Sequence, residues 1–361
     1  MAGAVLLTAW LATTTPAVLG VALPILLLWL ASPALAWWVS RPLPRRKATL
    51  SDDQLTFLRT LARRVWDFFE TYVGPEDNWL PPDNFQQYRI ATVAHRTSPT
   101  NMGLALLANL TAYDFGFIPS GVLLERTQNT LETMTSLPRY QQHFYNWYDT
   151  RALHPLLPMY VSTVDSGNLA GHLLTLRAGL LALPDEQTSV ACLLEGLSAT
   201  LAIFDDERRD KSGDHPAIDD QARAFWQLLE TARAAPPASL RDAHASLLQL
   251  AAAADEMATQ TDIQINAQIN AQSTAQARSL PVATDATDAS ERTPARVRPA
   301  AEAVRWAHAL ARQSRAAVDD LAALAPWLTF ANLPDPFAEE GAEALGQTAG
   351  LPTLRGLAAA G

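Results

Sequence analysis

Between Gln141 and His172 the chain reads QQHFYNWYDTRALHPLLPMYVSTVDSGNLAGH. Phe144, Tyr145, Trp147, Tyr148 and Tyr160 are set there among Asn146, Asp149, Arg151, His154, Asp165 and Asn168. Pro155 and Pro158 interrupt the stretch, which follows neither a repeating helical face nor strand alternation. That composition suits a sugar. Aromatic rings offer flat apolar surfaces to the C–H faces of a pyranose, while carboxylates, amides and guanidinium groups bond the hydroxyls around its edge. A long loop stiffened by proline and rich in such groups is more often a functional surface than a plain connection. The competing reading is an ordered packing loop whose aromatics are simply core.

Retaining glycoside transfer needs two carboxyl groups about 5 to 5.5 Å apart, one as proton donor and one as nucleophile. The carboxylates in the irregular stretches are Glu76, Asp77, Asp83, Asp149 and Asp165. Asp149 sits amid aromatics, where desolvation is expected, whereas Asp165 has the alternative role of a helix cap. The candidates for direct sugar contact are Arg96, Asn101, Asn146, Trp147, Tyr148, Asp149, Arg151, Asp165 and Asn168. Each has a structural alternative: Arg96 as the partner of a structural carboxylate, Trp147 as a core anchor. His143, His154 and His172 lack a metal-ligand spacing such as HExxH, so no metal is expected. There is no P-loop, no glycine-rich dinucleotide motif and no GxSxG, and no cofactor is expected.

These groups need elements to hold them. Ser51 to Gln54 has the form of a capping box, and Leu55, Leu58, Ala62, Val65 and Phe69 follow at helical spacing, predicting a helix over about 51–72. Ser98 and Pro99 open a helix through Met102, Leu106, Leu110 and Tyr113 that stops near Gly116. Ser120 starts another, ending at Pro138. Asp165 or Ser166 caps a fourth, with Leu169, Leu173, Leu176 and Leu180, that runs to Pro184. No convincing strand is visible. Short turns near Gly116 and Pro184 make antiparallel helix pairs, so the long loops 73–97 and 136–164 both enter the amino-terminal ends of alternate helices and lie on one rim. This is the layout of an (α/α) barrel; a helical array with an unrelated groove is the competing architecture.

Residues 1–40 carry no charged side chain, and Pro16 to about Trp38 is long enough to span a bilayer, which takes roughly 20 apolar residues. Trp37 and Trp38 fit an interfacial belt, and Arg41, Arg45, Arg46 and Lys47 then place the carboxyl-terminal side in the cytoplasm. A signal peptide lacks its positive n-region here, and a buried soluble helix is the other alternative. The stretch before Pro16 is too short for a second span and has the look of a preceding one's stub.

Net charge is −10, which argues against nucleic acid. The one cysteine, Cys192, lies in an apolar run and reads as a small buried hydrophobe. Beyond Tyr160 no tyrosine occurs and alanine dominates. Helices are predicted at about 187–204, 217–234, 238–258 and 302–325. Residues 259–298, with INAQINAQ and ATDATDAS, read as a flexible insert.

HFYNWYDTRALHPL (143–156), YVSTVDSGNLAGHL (160–173), HRTSPTNMGLALL (95–107) and GPEDNWLPPDNFQ (74–86), with RPLPRR after the membrane segment, closely resemble the glycoamylase-like region of cyclic beta-1,2-glucan synthases. The resemblance runs from about Trp37 to Ala182 and more weakly to roughly Phe330. Those synthases are very large multi-domain membrane proteins. It implies an all-α chain: an N-terminal transmembrane helix followed by a partial (α/α)6-barrel-like, glycoamylase-like helical domain that binds and transglycosylates beta-1,2-glucan. The expected organisation is a membrane segment (1–40), a basic linker (41–50), the first part of the helical domain (51–258), the insert (259–298), a helical continuation (299–340) and a flexible tail (341–361). Catalytic glutamates of the family lie in later helices that no part of this chain matches, so the catalytic residues remain unknown and the chain is expected to be inactive alone. The expected partners are beta-1,2-glucan or a related oligosaccharide, the lipid bilayer and the remaining portions of the synthase, and the expected location is a bacterial-type inner membrane with the soluble part cytoplasmic. The alternative is a self-contained membrane-tethered glucan-binding module, or a glycoside hydrolase or transglycosylase with a divergent second half.

Overall fold

The computed structural model describes residues 2–41, 49–87, 91–187, 190–211, 216–279, 297–329 and 351–360. They fall into two compact units, Met1–Ser51 and Asp52–Gly361.

In the first unit α1 (Ala2–Thr14) and α2 (Pro16–Val39) are apolar throughout. They break at Thr15, whose backbone leaves the helical region (φ −146°, ψ 68°) as a residue before proline tends to do. The 24 residues of α2 rise about 1.5 Å each, which exceeds the roughly 30 Å of a bilayer core. Among the described residues α2 is the one helix long and apolar enough to cross a membrane, and it matches the predicted span. Within α1 the Thr8, Thr13 and Thr14 hydroxyls donate back to carbonyls of the preceding turn, so they leave no free donor on an otherwise apolar surface.

The second unit is all-α in its framework: α3 (Asp52–Tyr72), α4 (Pro99–Asp114), α5 (Ser120–Ser136), α6 (Thr163–Ala182), α7 (Val190–Lys211), α8 (Pro216–Ala234), α9 (Leu240–Ser279), α10 (Val297–Leu324) and the short α11 (Leu354–Ala360). Helices alternate in the chain between neighbours. α4 and α6 lie side by side and parallel: Thr100 meets Asp165 at one end, Gly103 faces His172, and Gly179 faces Leu110 at the other. α3 and α7 form a second parallel pair, with Arg59 on Glu195, Arg63 on Thr200 and Arg64 on Glu207.

Arg63 is fully buried in that second pair. Its guanidinium donates to Thr200 Oγ1 (2.9 Å) and Glu70 Oε2 (2.8 Å) and lies over the Trp306 ring at 5.0 Å, which offsets part of the cost of burying the charge. Thr200 in turn donates to Gln313 of α10 (2.6 Å), and Gln313 donates to the carbonyl of Gly116 (3.0 Å). Gly116 ends α4 with φ +71°, and a Cβ there would sit 2.0 Å from the Cys192 carbonyl oxygen. Only glycine fits. The main apolar core lies between α7, α8, α9 and α10, from Leu194 and Phe204 through Phe225 and Leu247 to Trp306 and Leu310.

The structure corrects the sequence reading at four places. Three antiparallel pairs of two-residue strands occur where none was expected: β1 (Phe85–Gln86) with β2 (Thr92–Val93), β3 (Arg96–Thr97) with β6 (Tyr148–Asp149), and β4 (Arg139–Tyr140) with β5 (His143–Phe144). Two residues are too few to carry an alternation signal. The cap of α6 is Ser162, which accepts from the Asp165 backbone N–H, and not Asp165 or Ser166. The expected insert is helical at its start: α9 continues to Ser279, and Thr261 and Ile265 are buried one and two turns past Met257. Small alanines and threonines allow α10 to approach closely there; residues 280–296 lie outside the described residues. In the expected tail, residues 341–350 also lie outside them, but α11 is anchored by buried Leu357, by a bridge between Thr353 and Gln187, and by Arg355 on Asp185 (2.6 Å).

Candidate functional site

The two long loops meet. β3 belongs to the first and β6 to the second, with Arg96 opposite Asp149 and Thr97 opposite Tyr148. Further bonds lock the pairing: the Thr150 N–H donates to the His95 carbonyl (3.1 Å), and Asn78 Nδ2 donates to the carbonyls of Thr150 (2.8 Å) and Arg151 (3.1 Å). Asn78 and Trp79 both hold positive φ, so the turn that aims Asn78 is itself a strained one. Behind the ribbon Asp77, 5% exposed, accepts from the Thr150 hydroxyl (2.5 Å) and from His95 Nδ1 (2.8 Å). A buried carboxylate engaged by donors from both loops fixes them as one unit.

On this frame six of the nine sequence candidates converge into two adjoining groups. In the first, Arg96 donates to Asp83 Oδ2 through both Nε (3.2 Å) and NH2 (2.9 Å), and lies over the Trp147 ring at 4.9 Å. The expected structural pairing of Arg96 is therefore real, yet about half of its side chain remains exposed beside a half-buried indole. In the second, the first turns of α4 and α6 share a network. Thr100 Oγ1 donates to Asp165 Oδ1 (2.5 Å) and accepts from Asn168 Nδ2 (3.1 Å). With the Asn146 amide oriented so that its oxygen faces the two nearby donors, that oxygen accepts from Trp147 Nε1 (2.6 Å) and Tyr160 OH (2.8 Å), while its nitrogen donates to Asp165 Oδ2 (3.3 Å). Asn146 thus links the two groups. Asn101 lies in the same turn; among the described residues its buried Nδ2 has no acceptor.

The remaining three candidates stand elsewhere. Tyr148 is 0% exposed: its hydroxyl donates to the Pro138 carbonyl (2.7 Å) and accepts from the Tyr145 N–H (2.7 Å). A ring without exposed surface stacks on no sugar, so Tyr148 builds the loop from inside. Asp149 is not desolvated as expected. Its carboxylate accepts from the backbone N–H groups of Ala152 (2.7 Å) and Arg151 (2.9 Å), which hold it below the usual carboxylate range against a partial burial that pushes the other way. It closes a turn and is held as an acceptor, the wrong state for a proton donor. Arg151 points to the Asp77 side of the ribbon, with Nε 3.8 Å from Oδ1.

Sequence reasoning missed Thr100, Tyr160 and His95 as parts of the site. Tyr160 stood among the loop aromatics, and the Ser162 cap, which frees the Asp165 carboxylate for Thr100, was the signal that would have linked α6 to α4. Asp77 was named as a carboxylate, but its role in joining the loops depends on a contact 73 residues away and was not visible. Among the described residues no three His, Cys, Asp or Glu side chains are grouped to hold a metal.

The arrangement offers an indole face, a guanidinium, two amides, a phenol and a carboxylate on one rim. That is the inventory for binding a neutral polyhydroxy ring.

No protein-family profile matches the chain. A stretch of 155 residues, 43% of this chain, is 46% identical to part of a cyclic beta-(1,2)-glucan synthase of Rhizobium meliloti (strain 1021). The match spans 6% of that protein's length.

Proposed function

We propose that this chain is a membrane-anchored portion of a cyclic beta-1,2-glucan synthase, and that the rim built by β3, β6 and the first turns of α4 and α6 binds beta-1,2-glucan. The observation that carries this reading is the pairing of Arg96 with Asp149 across β3 and β6, because it brings together loops some fifty residues apart in the chain. The likeness to the synthase supplies the linkage; the polar and aromatic inventory alone specifies only a sugar. The parallel pairs α4/α6 and α3/α7 are compatible with an (α/α) barrel, and the glycoamylase-like reading of the helical unit rests on that compatibility and on the likeness to the synthase.

Chemistry is assigned to groups outside this chain. Asp77, Asp83, Asp149 and Asp165 are each engaged as acceptors by hydroxyl, guanidinium, imidazole, amide or backbone donors. Glu76, the fifth carboxylate of the irregular stretches, is solvent-exposed. On this reading the chain binds glucan without turning it over, and completion by the remaining parts of a synthase supplies transglycosylation. α2 anchors it in a bacterial-type inner membrane, with the helical unit on the cytoplasmic side by the positive charge that follows the span.

The test is incubation of the full chain in lipid nanodiscs with a linear beta-1,2-gluco-oligosaccharide, following thermal shift and product lengths together. Stabilisation without new lengths is expected. New oligosaccharide lengths would show that the chain carries its own catalytic pair and would support the alternative, a self-contained transglycosylase or hydrolase.

A further inference from the structure

His95 and Arg96 are adjacent, yet their side chains serve different surroundings. Arg96 lies on Asp83 and Trp147, whereas His95 Nδ1 is bound to Asp77. Asp77 Oδ1 also accepts the Thr150 hydroxyl, so Nδ1 of the ring is committed to that carboxylate and Nε2 is the ring nitrogen left to a ligand. Among the described residues Nε2 has no partner, and the imidazole is 28% exposed. It borders a cavity of about 470 Å³ whose walls include Tyr72, Glu76, Asp77, Trp79 and Arg151. The cavity thus combines a fixed imidazole, an exposed carboxylate at Glu76, an exposed guanidinium at Arg151 and two aromatic rings. Arg151, a sequence candidate that the structure removes from the Trp147 group, finds its place here.

We infer that this cavity is a second sugar subsite, in which His95 Nε2 bonds a hydroxyl of a glucosyl unit, Glu76 accepts and Arg151 donates, with Trp79 and Tyr72 as apolar walls. The ligand class is a neutral oligosaccharide longer than a disaccharide, held at the rim and in the cavity together. The inference rests on the reading of the rim as a glucan-binding surface.

The test uses the full chain in nanodiscs, labelled with ¹⁵N-histidine, and two linear beta-1,2-linked probes: the glucose disaccharide and a longer gluco-oligosaccharide. The longer probe is expected to shift the His95 Nε2 resonance. Glu76→Ala removes a cavity acceptor while leaving the Asp77–His95 bond in place, and is expected to weaken the longer probe about three- to tenfold while leaving the disaccharide within about twofold. If the variant fails to fold, the resonance in the unaltered chain decides alone. An unmoved Nε2 resonance with undiminished binding of the longer probe overturns the second subsite and leaves the rim standing. Equal loss of both probes also overturns it, since Glu76 would then act through the rim. Binding of neither probe by the unaltered chain overturns both readings.

Discussion

The Thr100 hydroxyl donates to the Asp165 carboxylate at 2.5 Å, joining the first turns of two parallel helices 65 positions apart in the chain. The same Thr100 oxygen accepts from Asn168, and the other Asp165 oxygen faces Asn146. One carboxylate therefore orders the amides and, through Asn146, the indole of Trp147. Thr100→Val removes the donor while keeping the shape. It is expected to lower stability by about 1 kcal/mol and to weaken glucan binding severalfold, measured by denaturant unfolding and calorimetric titration. Unchanged binding would detach Asp165 from the rim.

Tyr148 provides the control for a loop residue without sugar contact. Tyr148→Phe deletes the hydroxyl that bridges the Pro138 carbonyl and the Tyr145 N–H. Two part-buried backbone groups lose their partner, so a loss of about 1 kcal/mol in unfolding free energy is expected. At temperatures where the variant stays folded, its affinity for glucan should stay within about twofold of the unaltered chain. A large affinity loss at full foldedness would return Tyr148 to the binding surface.

Two aspartates should respond to pH with opposite signs. Asp149 is held below the usual range by the Ala152 and Arg151 N–H groups, so it stabilises the fold above the ordinary carboxylate pKa and that contribution fades as pH falls toward its lowered value. Asp149→Asn is thus destabilising at pH 7, with the gap closing below about pH 4. Asp114 is pushed up by burial and then by Glu186. The folded chain holds its proton more tightly than the unfolded chain, so stability is lost as pH rises past the ordinary value. Asp114→Asn is therefore stabilising at pH 7 and neutral in acid. Urea unfolding at a series of pH values checks both signs, and parallel pH curves for either variant and the unaltered chain would contradict the assignment.

Gly116 tests the packing of α4 on α7. Gly116→Ala meets both a left-handed backbone and a carbonyl oxygen 2.0 Å away, and is expected to cost well over 1 kcal/mol. Circular dichroism melts read this directly; an unchanged melting temperature would contradict the close approach of the two helices.

Much of the framework was legible because helices announce themselves locally. The Ser98 cap, the apolar spacing of α3 and α4 and the α2 span follow from residues a few positions apart, and the structure places them where the spacing does. The meeting of the loops was legible from helix order, but its registry was not. β3 and β6 depend on contacts between distant residues, and buried Tyr148 is the same residue type as exposed Tyr160. Composition pointed to a sugar as ligand while leaving open which rings turn inward. The α9 extension was hidden because alanine, threonine and glutamine give little apolar signal even where Thr261 and Ile265 pack against a partner helix.

The measurement closest to the central claim is calorimetric titration of the nanodisc-bound chain with a linear beta-1,2-gluco-oligosaccharide, comparing the unaltered chain with Trp147→Ala. The indole is the flat face of the rim, and Arg96 and Asn146 are both in contact with it. Saturable binding that falls at least about tenfold in the variant, with the melting temperature little changed, is the expected result. Undiminished binding in Trp147→Ala, or none by the unaltered chain, would contradict a glucan-reading rim.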